Sequence, residues 1–518
     1  MGQRLIHNEL EKQAYWRPNH LAMAFEEYEY TYCEFNKRVN RVAHALADRG
    51  IGEKDRLVAH GKDHVDWHTI FYACSKLGAT FCPVSKFQSL ENLRYIIDTL
   101  NPSFVFYTND PDIVKDRLSA IRDTAPEATY TTIDQSGIGG DTTLESLIEG
   151  YSSENPEWKD EHAPDTTHNV FWTSGTTGRP KAVKRNHRSS LHFSDNLIND
   201  LPFREWNRRI TTNSMMLIDA YFHYGIPTVM TGGTNIMIRE FSPEHLYEKY
   251  QEYEVNSLHL GFTIARLVLE YLEKIEADLD LRYLSAVIPT SNFANELWEH
   301  TDKLYHLYGT TEIGLPLVKR ITPPFDERPS LGKPGVGAEV RLVQNETDRI
   351  PDTPPDIWDE GELACRGETT MTSYLSQDHQ QENMEDGWIL PGDAIRINQN
   401  RDIVFLGRTD DQIRSGGINV YPGDIENVLE DHPSVSNAIV VGVEDDTWGE
   451  RICSLIITES DQDNSELSEA LDKHCRESGK ITNELRPREY AFVQTNDQIP
   501  SGSLGKPDRP AIVNQFFG

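Results

Sequence analysis

The sequence predicts an α/β protein of more than one domain, and three observations carry that expectation. The chain has 518 residues, more than one core ordinarily absorbs. In its first part, helical apolar periodicity alternates with short apolar strand runs, the pattern of helices layered on a sheet. After Gly407 the pattern resets, and about 110 residues again mix strands with an amphipathic helix, enough for a separate small domain.

Taken in order, the elements read as follows. From Glu34, the apolar residues Phe35, Val39, Val42 and Leu46 keep three-and-four spacing, and Gly50 closes the helix. Apolar strands are expected at 56–59, 80–84 and 103–107, with helical segments between them. Residues 137–167, rich in Gly, Ser, Asp, Glu and Pro, read as a solvated connection. Val170 to Trp172 read as a buried strand. From 330 to 404 many Gly and Pro punctuate short apolar runs, the mark of a small barrel-like sheet. Strands at 437–443 and 453–457 and a helix near 467–475 complete the chain. No internal repeat or low-complexity tract interrupts it.

The formal net charge is −33, from 83 acidic and 50 basic residues. Such a surface repels nucleic acid and anionic membrane, so neither is an expected partner. Because salt screens the self-repulsion, the composition suits work at high ionic strength, and an ordinary acidic cytosolic protein is the alternative. The six cysteines (33, 74, 82, 365, 453 and 475) show no CxxC or metal-ligand spacing and read as reduced, mostly buried thiols. The polar N-terminus and the lack of any run of about eighteen apolar residues point to a cytoplasmic protein without a membrane span. The residues leave the oligomeric state open, a homodimer included.

The stretch that organises the chemistry is FWTSGTTGRPKAVKRNHRS, residues 171–189. Ser174, Gly175, Thr176, Thr177 and Gly178 stand together ahead of Lys181. Glycines let backbone N–H groups turn toward an anion, hydroxyls add short donors, and the lysine brings a mobile positive charge. Taken alone, such a run is more often a solvated loop, but the apolar strand before it and the basic residues after it favour phosphate. It is not a Walker A loop: only two residues separate Gly175 from Gly178, and Pro180 precedes the lysine.

TSGTTGRPK closely resembles the signature loop of the adenylate-forming superfamily, which includes acyl-CoA synthetases, peptide-synthetase adenylation domains and luciferases. It departs only at Ala182, where a glycine usually follows the lysine. The resemblance extends in order along essentially the whole chain. It implies an α/β fold with a large N-terminal domain of two doubly wound sheets plus a small β-barrel subdomain, over residues 1–408. A smaller, mobile α+β C-terminal domain, 409–518, would follow. It also implies that Thr173 to Gly178 and Lys181 hold phosphate.

Further motifs carry further implied roles. In YGTTE, Tyr308 resembles the residue that lies against adenine, Thr311 the one that reaches the α-phosphate, and Glu312 the Mg2+ ligand, with Thr176 beside the metal. A lone Glu would be surface decoration, whereas Mg2+ beside a triphosphate prefers carboxylate and phosphate oxygens. Pro391, Gly392 and Asp393 resemble the family's Thr-Gly-Asp, whose carboxylate takes both ribose hydroxyls, and Arg408 the arginine that also contacts the nucleotide. GRTDDQIRSGGINVYPGDIE, residues 407–426, is the longest uninterrupted match. It implies a hinge at Asp410 and, at Gly416 and Gly417, a passage for the pantetheine arm of coenzyme A. Lys506, in IPSGSLGKPDR, resembles the catalytic lysine that stabilises charge on the substrate carboxylate and α-phosphate as pyrophosphate leaves.

Phe222, His223 and Gly225 resemble the "FH..G" pattern of acyl-CoA synthetases. An amino-acid-activating domain would carry an aspartate just after the phenylalanine, and here a histidine stands there. His223 can line the acid pocket or pack in the core, and both readings stay open. Val287 to Ser291 replace a Gly-Gly-Ala run usual beside the adenine. The chain is thus expected to be an acid:CoA ligase using ATP, Mg2+, coenzyme A and a fatty or aromatic carboxylic acid. An adenylating enzyme with another acceptor and a non-catalytic nucleotide-binding relative are the alternatives.

Overall fold

Strands that read as nearly continuous apolar runs need cover on both faces, and helices supply it. The computed structural model describes residues 3–138, 140–173, 179–325, 329–344, 350–376, 384–416, 418–458, 463–495, 498–500 and 507–518. Two eight-stranded mixed sheets dominate it. The first runs Gly314–Ile321, Leu304–Thr310, Tyr283–Ala286, Ser257–Leu260, Arg208–Thr211, Thr234–Met237, Leu21–Phe25, Tyr28–Thr31, parallel inside and antiparallel at both edges. The second runs Ser373–Tyr374, Lys181–Asn186, Thr167–Thr173, Thr80–Val84, Arg56–His60, Phe104–Tyr107, Thr129–Thr132, Thr142–Thr143.

The largest core draws on both sheets and on the helices Ile6–Trp16, Tyr32–Ala47, Asp66–Leu77 and His187–Asp200. Every residue of Asp66–Leu77 is buried. Its charged residues are accordingly paired: Asp66 accepts from Arg38 at 2.6 and 2.9 Å, and Lys76 bonds Glu11. On the outer faces, Leu90–Leu100 packs on the second sheet, while Phe262–Lys274 and Ser291–Trp298 pack on the first.

The expected strands stand within a residue or two of their places, at Arg56–His60, Thr80–Val84 and Phe104–Tyr107. The first expected helix begins at Tyr32 rather than Glu34. Thr31 caps it, and the Glu34 carboxylate returns to the Thr31 N–H at 2.9 Å. Residues 137–167 are more than a solvated connection. They hold the helix Leu144–Ile148, whose Leu144, Leu147 and Ile148 are buried in the main core, a three-and-four spacing hidden in polar composition.

Residues 338–408 form a six-stranded antiparallel sheet, in which Glu360–Gly367 pairs with Ala338–Val343 and with Asp393–Ile397, and the latter with Ile403–Arg408. A fourth, five-stranded sheet spans Ile413–Ser415 to Glu489–Val493. The helices Pro422–Glu430 and Asn464–Glu477 cover it with a core of their own. All six cysteines are free, and five of them are buried. Among the described residues no helix is long and apolar enough to cross a membrane.

Candidate active site

The strand Thr167–Thr173 ends where the phosphate-loop motif begins. Lys181–Asn186 returns antiparallel beside it, with Thr173 opposite Lys181. The motif therefore spans the end of a β-hairpin, where a P-loop would lead from strand into helix. Ser174, Gly175, Thr176, Thr177 and Gly178 lie outside the described residues. Lys181 is buried at the hairpin's return, its Nζ 5.9 Å from the Tyr374 ring centre.

Glu312 stands in the turn between Leu304–Thr310 and Gly314–Ile321. The Thr310 hydroxyl accepts from the Glu312 and Ile313 N–H groups at 3.3 Å each, which shapes the turn. Gly314 closes it at φ 74°, and a Cβ there would lie 2.4 Å from the Thr369 carbonyl oxygen, so only glycine fits. The backbone is held on the neighbouring segment: Met371 N–H donates to the Glu312 carbonyl at 2.6 Å, and the Thr369 hydroxyl to the Ile313 carbonyl at 3.1 Å. The Glu312 carboxylate then meets two neutral hydroxyls, Thr173 at 3.1 Å and Tyr374 at 3.4 Å. Thr173, at the mouth of the phosphate loop, is thereby joined to the YGTTE motif, 139 residues away.

Asp393 opens the strand Asp393–Ile397 opposite Arg408. Its carboxylate is buried and accepts from the Tyr308 hydroxyl and from Arg408 Nη1, the latter at 3.0 Å. Burial and the Asp393 charge hold the Tyr308 phenol well above its ordinary range, so it stays a donor. Gly392, at φ 80°, lets Arg408 pass close behind; a Cβ would lie 2.8 Å from Arg408 Nη2. Glu362 stands in the same neighbourhood, its carboxyl raised by burial against the pull of the Gly392 N–H.

Beyond Arg408 the chain turns sharply. Thr409 donates from its N–H and hydroxyl to the Gly392 carbonyl, at 2.9 and 3.1 Å, and Asp410 points outward with 62% of its side chain exposed. Gly416, at φ 59°, donates to the Trp448 carbonyl at 2.8 Å. Gly417 and Lys506 lie outside the described residues.

Phe222, His223 and Gly225 lie on a single π-helical turn, Ala220–Gly225. Gly225 is needed there because a Cβ would come within 2.8 Å of the His68 ring. His223 Nδ1 lies 3.1 Å from the Asp219 carboxylate, and its ring packs 4.5 Å from His259 and 5.3 Å from Phe193. Burial opposes the charge on Asp219, yet His223 brings its carboxyl below the ordinary value; burial pushes His259 well down. His223 is thus buried and still paired with a carboxylate one turn earlier.

Of the two residues expected to hold Mg2+, Thr176 lies outside the described residues, while the Glu312 carboxylate, with the Thr173 hydroxyl beside it, supplies hard oxygens where the expected phosphate loop begins. Among the described residues there is no cluster of three His, Cys, Asp or Glu able to cage a metal. The donor set fits an ion that arrives with a triphosphate and keeps phosphate and water ligands.

Sequence reasoning passed over Arg185, Tyr374, Glu362 and Asp219. Arg185 did leave a signal: period two along Lys181–Asn186 puts it on the same face as the fully buried Val183. Asp219 and Tyr374 left none, since the partners that give them meaning are set by the fold.

The family model described as AMP-binding enzyme matches residues 10–375, and that of the AMP-binding enzyme C-terminal domain matches 424–506. A fatty acid–[acyl-carrier-protein] ligase of Streptomyces coeruleorubidus is 26% identical, over 94% of this chain and 92% of its own length. An indoleacetate–CoA ligase of Aromatoleum aromaticum is 25% identical, over 96% and 95%. The fold matches that of an anthranilate CoA ligase crystallised with anthranoyl-AMP, with a TM-score of 0.87 at 21% identity, over 99% and 97% of the two chains.

Proposed function

From the premise that this chain belongs to the AMP-binding enzyme family, we propose that it is an acid:CoA ligase that makes an acyl-adenylate from ATP and a fatty or aromatic acid, then an acyl-CoA thioester. One observation carries the reading. Thr173 of the second sheet meets Glu312 of the first, and Tyr308, four residues before Glu312, meets Asp393 of the third. Residues far apart in the chain thus meet in two hydrogen-bonded pairs on one strand and its turn, a hydroxyl and a carboxylate in each, which supports a site for a nucleotide's phosphates and ribose.

In this reading Lys181 and the loop 173–178 grip the β- and γ-phosphates. Glu312 holds Mg2+, which when bound would neutralise charge on the phosphate oxygens. Asp393 is already oriented by Arg408 and Tyr308 and accepts from the ribose hydroxyls with its remaining lone pairs. Thr311 donates to the α-phosphate. Lys506 stabilises the charge that builds as the acid's carboxylate attacks that phosphorus and pyrophosphate leaves. A swing about Asp410 would then withdraw Lys506 and present the passage at Gly416 and Gly417, so that the thiol attacks the acyl carbonyl and AMP departs. The acid would lie beside His223 and Gly225.

One relative named above transfers its acyl group to a carrier protein, which favours a second reading in which a phosphopantetheinylated carrier replaces coenzyme A. A panel of carboxylic acids tested for pyrophosphate release, then for AMP release with coenzyme A or a carrier protein, separates the two. Running it at low and high salt tests the meaning of the −33 charge. No pyrophosphate release with any acid would overturn both readings.

A further inference from the structure

Arg185 is fully buried, and among the described residues its guanidinium is hydrogen-bonded to no carboxylate oxygen, an unusual setting for a charge. Its guanidinium spends its donors on backbone carbonyls instead. Nε and Nη2 donate to the Thr311 carbonyl at 3.2 and 2.8 Å, Nη2 also approaches the Glu312 carbonyl at 3.4 Å, and Nη1 donates to the Thr369 carbonyl at 2.6 Å. Its Cζ lies 5.8 Å from the Phe193 ring centre and 5.9 Å from that of Phe222, the residue before His223. Arg185 itself sits on Lys181–Asn186, the strand that leaves the phosphate loop.

One planar group therefore ties three things together: the strand behind the phosphate loop, the backbone of the turn that carries Glu312, and the aromatic wall beside the "FH..G" turn. Burial pushes the guanidinium down to about 10, with Glu312 opposing, so it remains charged at neutral pH. The charge suits this place because carbonyl oxygens, unlike a carboxylate, would not neutralise it, and the Glu312 carboxylate is left to point at Thr173.

We propose that Arg185 is a positioning residue: through the Thr311, Glu312 and Thr369 carbonyls it sets the Glu312 carboxylate and Thr311 in register with the phosphate loop before nucleotide binds. This inference rests on the reading of Glu312 as the Mg2+ ligand. A lysine cannot reproduce the forked contacts, because its ammonium is a compact point charge with no planar fork.

Arg185→Lys and Arg185→Met test it, with Mn2+ as the probe. In the presence of ATP, electron paramagnetic resonance titration should show Mn2+ binding at least five-fold weaker in both variants. ATP affinity without metal should fall by less than the Mn2+ affinity, since only the Thr311 contact is then disturbed, and the KM for the acid should move less than kcat. Arg185→Lys should recover part of the loss seen in Arg185→Met. In the unmodified, nucleotide-free chain, the Glu312 and Ile313 amides should already exchange slowly with solvent. Mn2+ affinity within two-fold of the parent, or fast exchange of those amides, overturns the proposal. If neither variant folds, the exchange measurement decides. If the unmodified chain releases no pyrophosphate with any acid, the enzymatic reading falls, while the Mn2+ and exchange results still judge Arg185.

Discussion

The body of the protein, up to Arg408, and the region beyond it differ in how they hold the charges of the candidate site. In the body, the groups proposed to hold ATP are buried or half-buried and already bonded to one another: Glu312 to Thr173, Asp393 to Tyr308 and Arg408. Beyond Arg408, Asp410 is exposed, and a five-stranded sheet closes on its own apolar core of Ile413, Ile425, Val440 and Ile456. Contacts between the two include the exposed pair Asn292–Asp431 at 2.8 Å, the pair Arg396–Asp424 at 3.7 Å, and Tyr421 against Ala394 and Leu406. The two polar pairs are cheap to exchange with water, whereas Tyr421 is buried against Ala394 and Leu406 and would have to be uncovered for the regions to separate. The contrast fits the proposed division of labour, in which the body is preorganised to bind and the C-terminal region swings about Asp410.

The sharpest way to break that contrast is Lys506→Ala. If the lysine belongs to the moving part, adenylate formation should fall by about 10²- to 10³-fold, as for loss of one preorganised electrostatic group, while thioester formation from supplied acyl-adenylate is nearly unchanged. Equal loss in both half-reactions would mean that the two regions work as one.

Within the body, the two carboxylates should fail differently. Glu312 is held through its backbone and offers its charge outward, so Glu312→Gln should lower kcat for pyrophosphate release about 10²-fold and raise the Mg2+ requirement. Asp393 is held through its carboxylate by Arg408 and Tyr308. Asp393→Asn should therefore raise the KM for ATP by tens of fold, the equivalent of about 2 kcal/mol for a hydrogen bond to a charged group, with a smaller effect on kcat. Identical kinetic signatures for the two variants would show that they share one role.

Much of this arrangement was legible in the residues, and the part that was not shares one cause. Strands such as Thr80–Val84 were visible because burial on both faces demands an unbroken apolar run. The helix Leu144–Ile148 was masked by the polar composition around its three apolar residues. At the candidate site, Glu312 and Asp393 were singled out by local motifs. Arg185 and Tyr374 were not, because each acts on a segment more than 60 residues away through contacts that only the tertiary fold creates. Arg185 does most of its bonding to carbonyl oxygens, which every residue carries and no motif records.

The smallest expected effect separates the two regions by pH rather than by mutation. In the body, burial pushes His7 and His60 down to about 4 and His68 and His168 to about 3. These histidines stay neutral in the fold while the unfolded chain takes up protons below its ordinary 6.5. Their contribution is fully present above pH 6.5 and is lost as pH falls below it, each at up to about 1.4 kcal/mol per pH unit. In the C-terminal region burial, then Glu426, raises Glu430 to about 7. A raised carboxyl has the reverse sign: its contribution is present below the ordinary value near 4.5 and is lost as pH rises through 7. Moving from pH 7.5 to 5.5 should therefore loosen the body first. Hydrogen exchange should quicken along Asp66–Leu77, where His68 sits, and along Thr167–Thr173, where His168 sits, while Asn437–Asp445 beside Glu430 keeps its protection. Parallel loss of protection in all three would mean that the two regions unfold as one cooperative unit, and the division between a binding body and a moving part would have no thermodynamic counterpart.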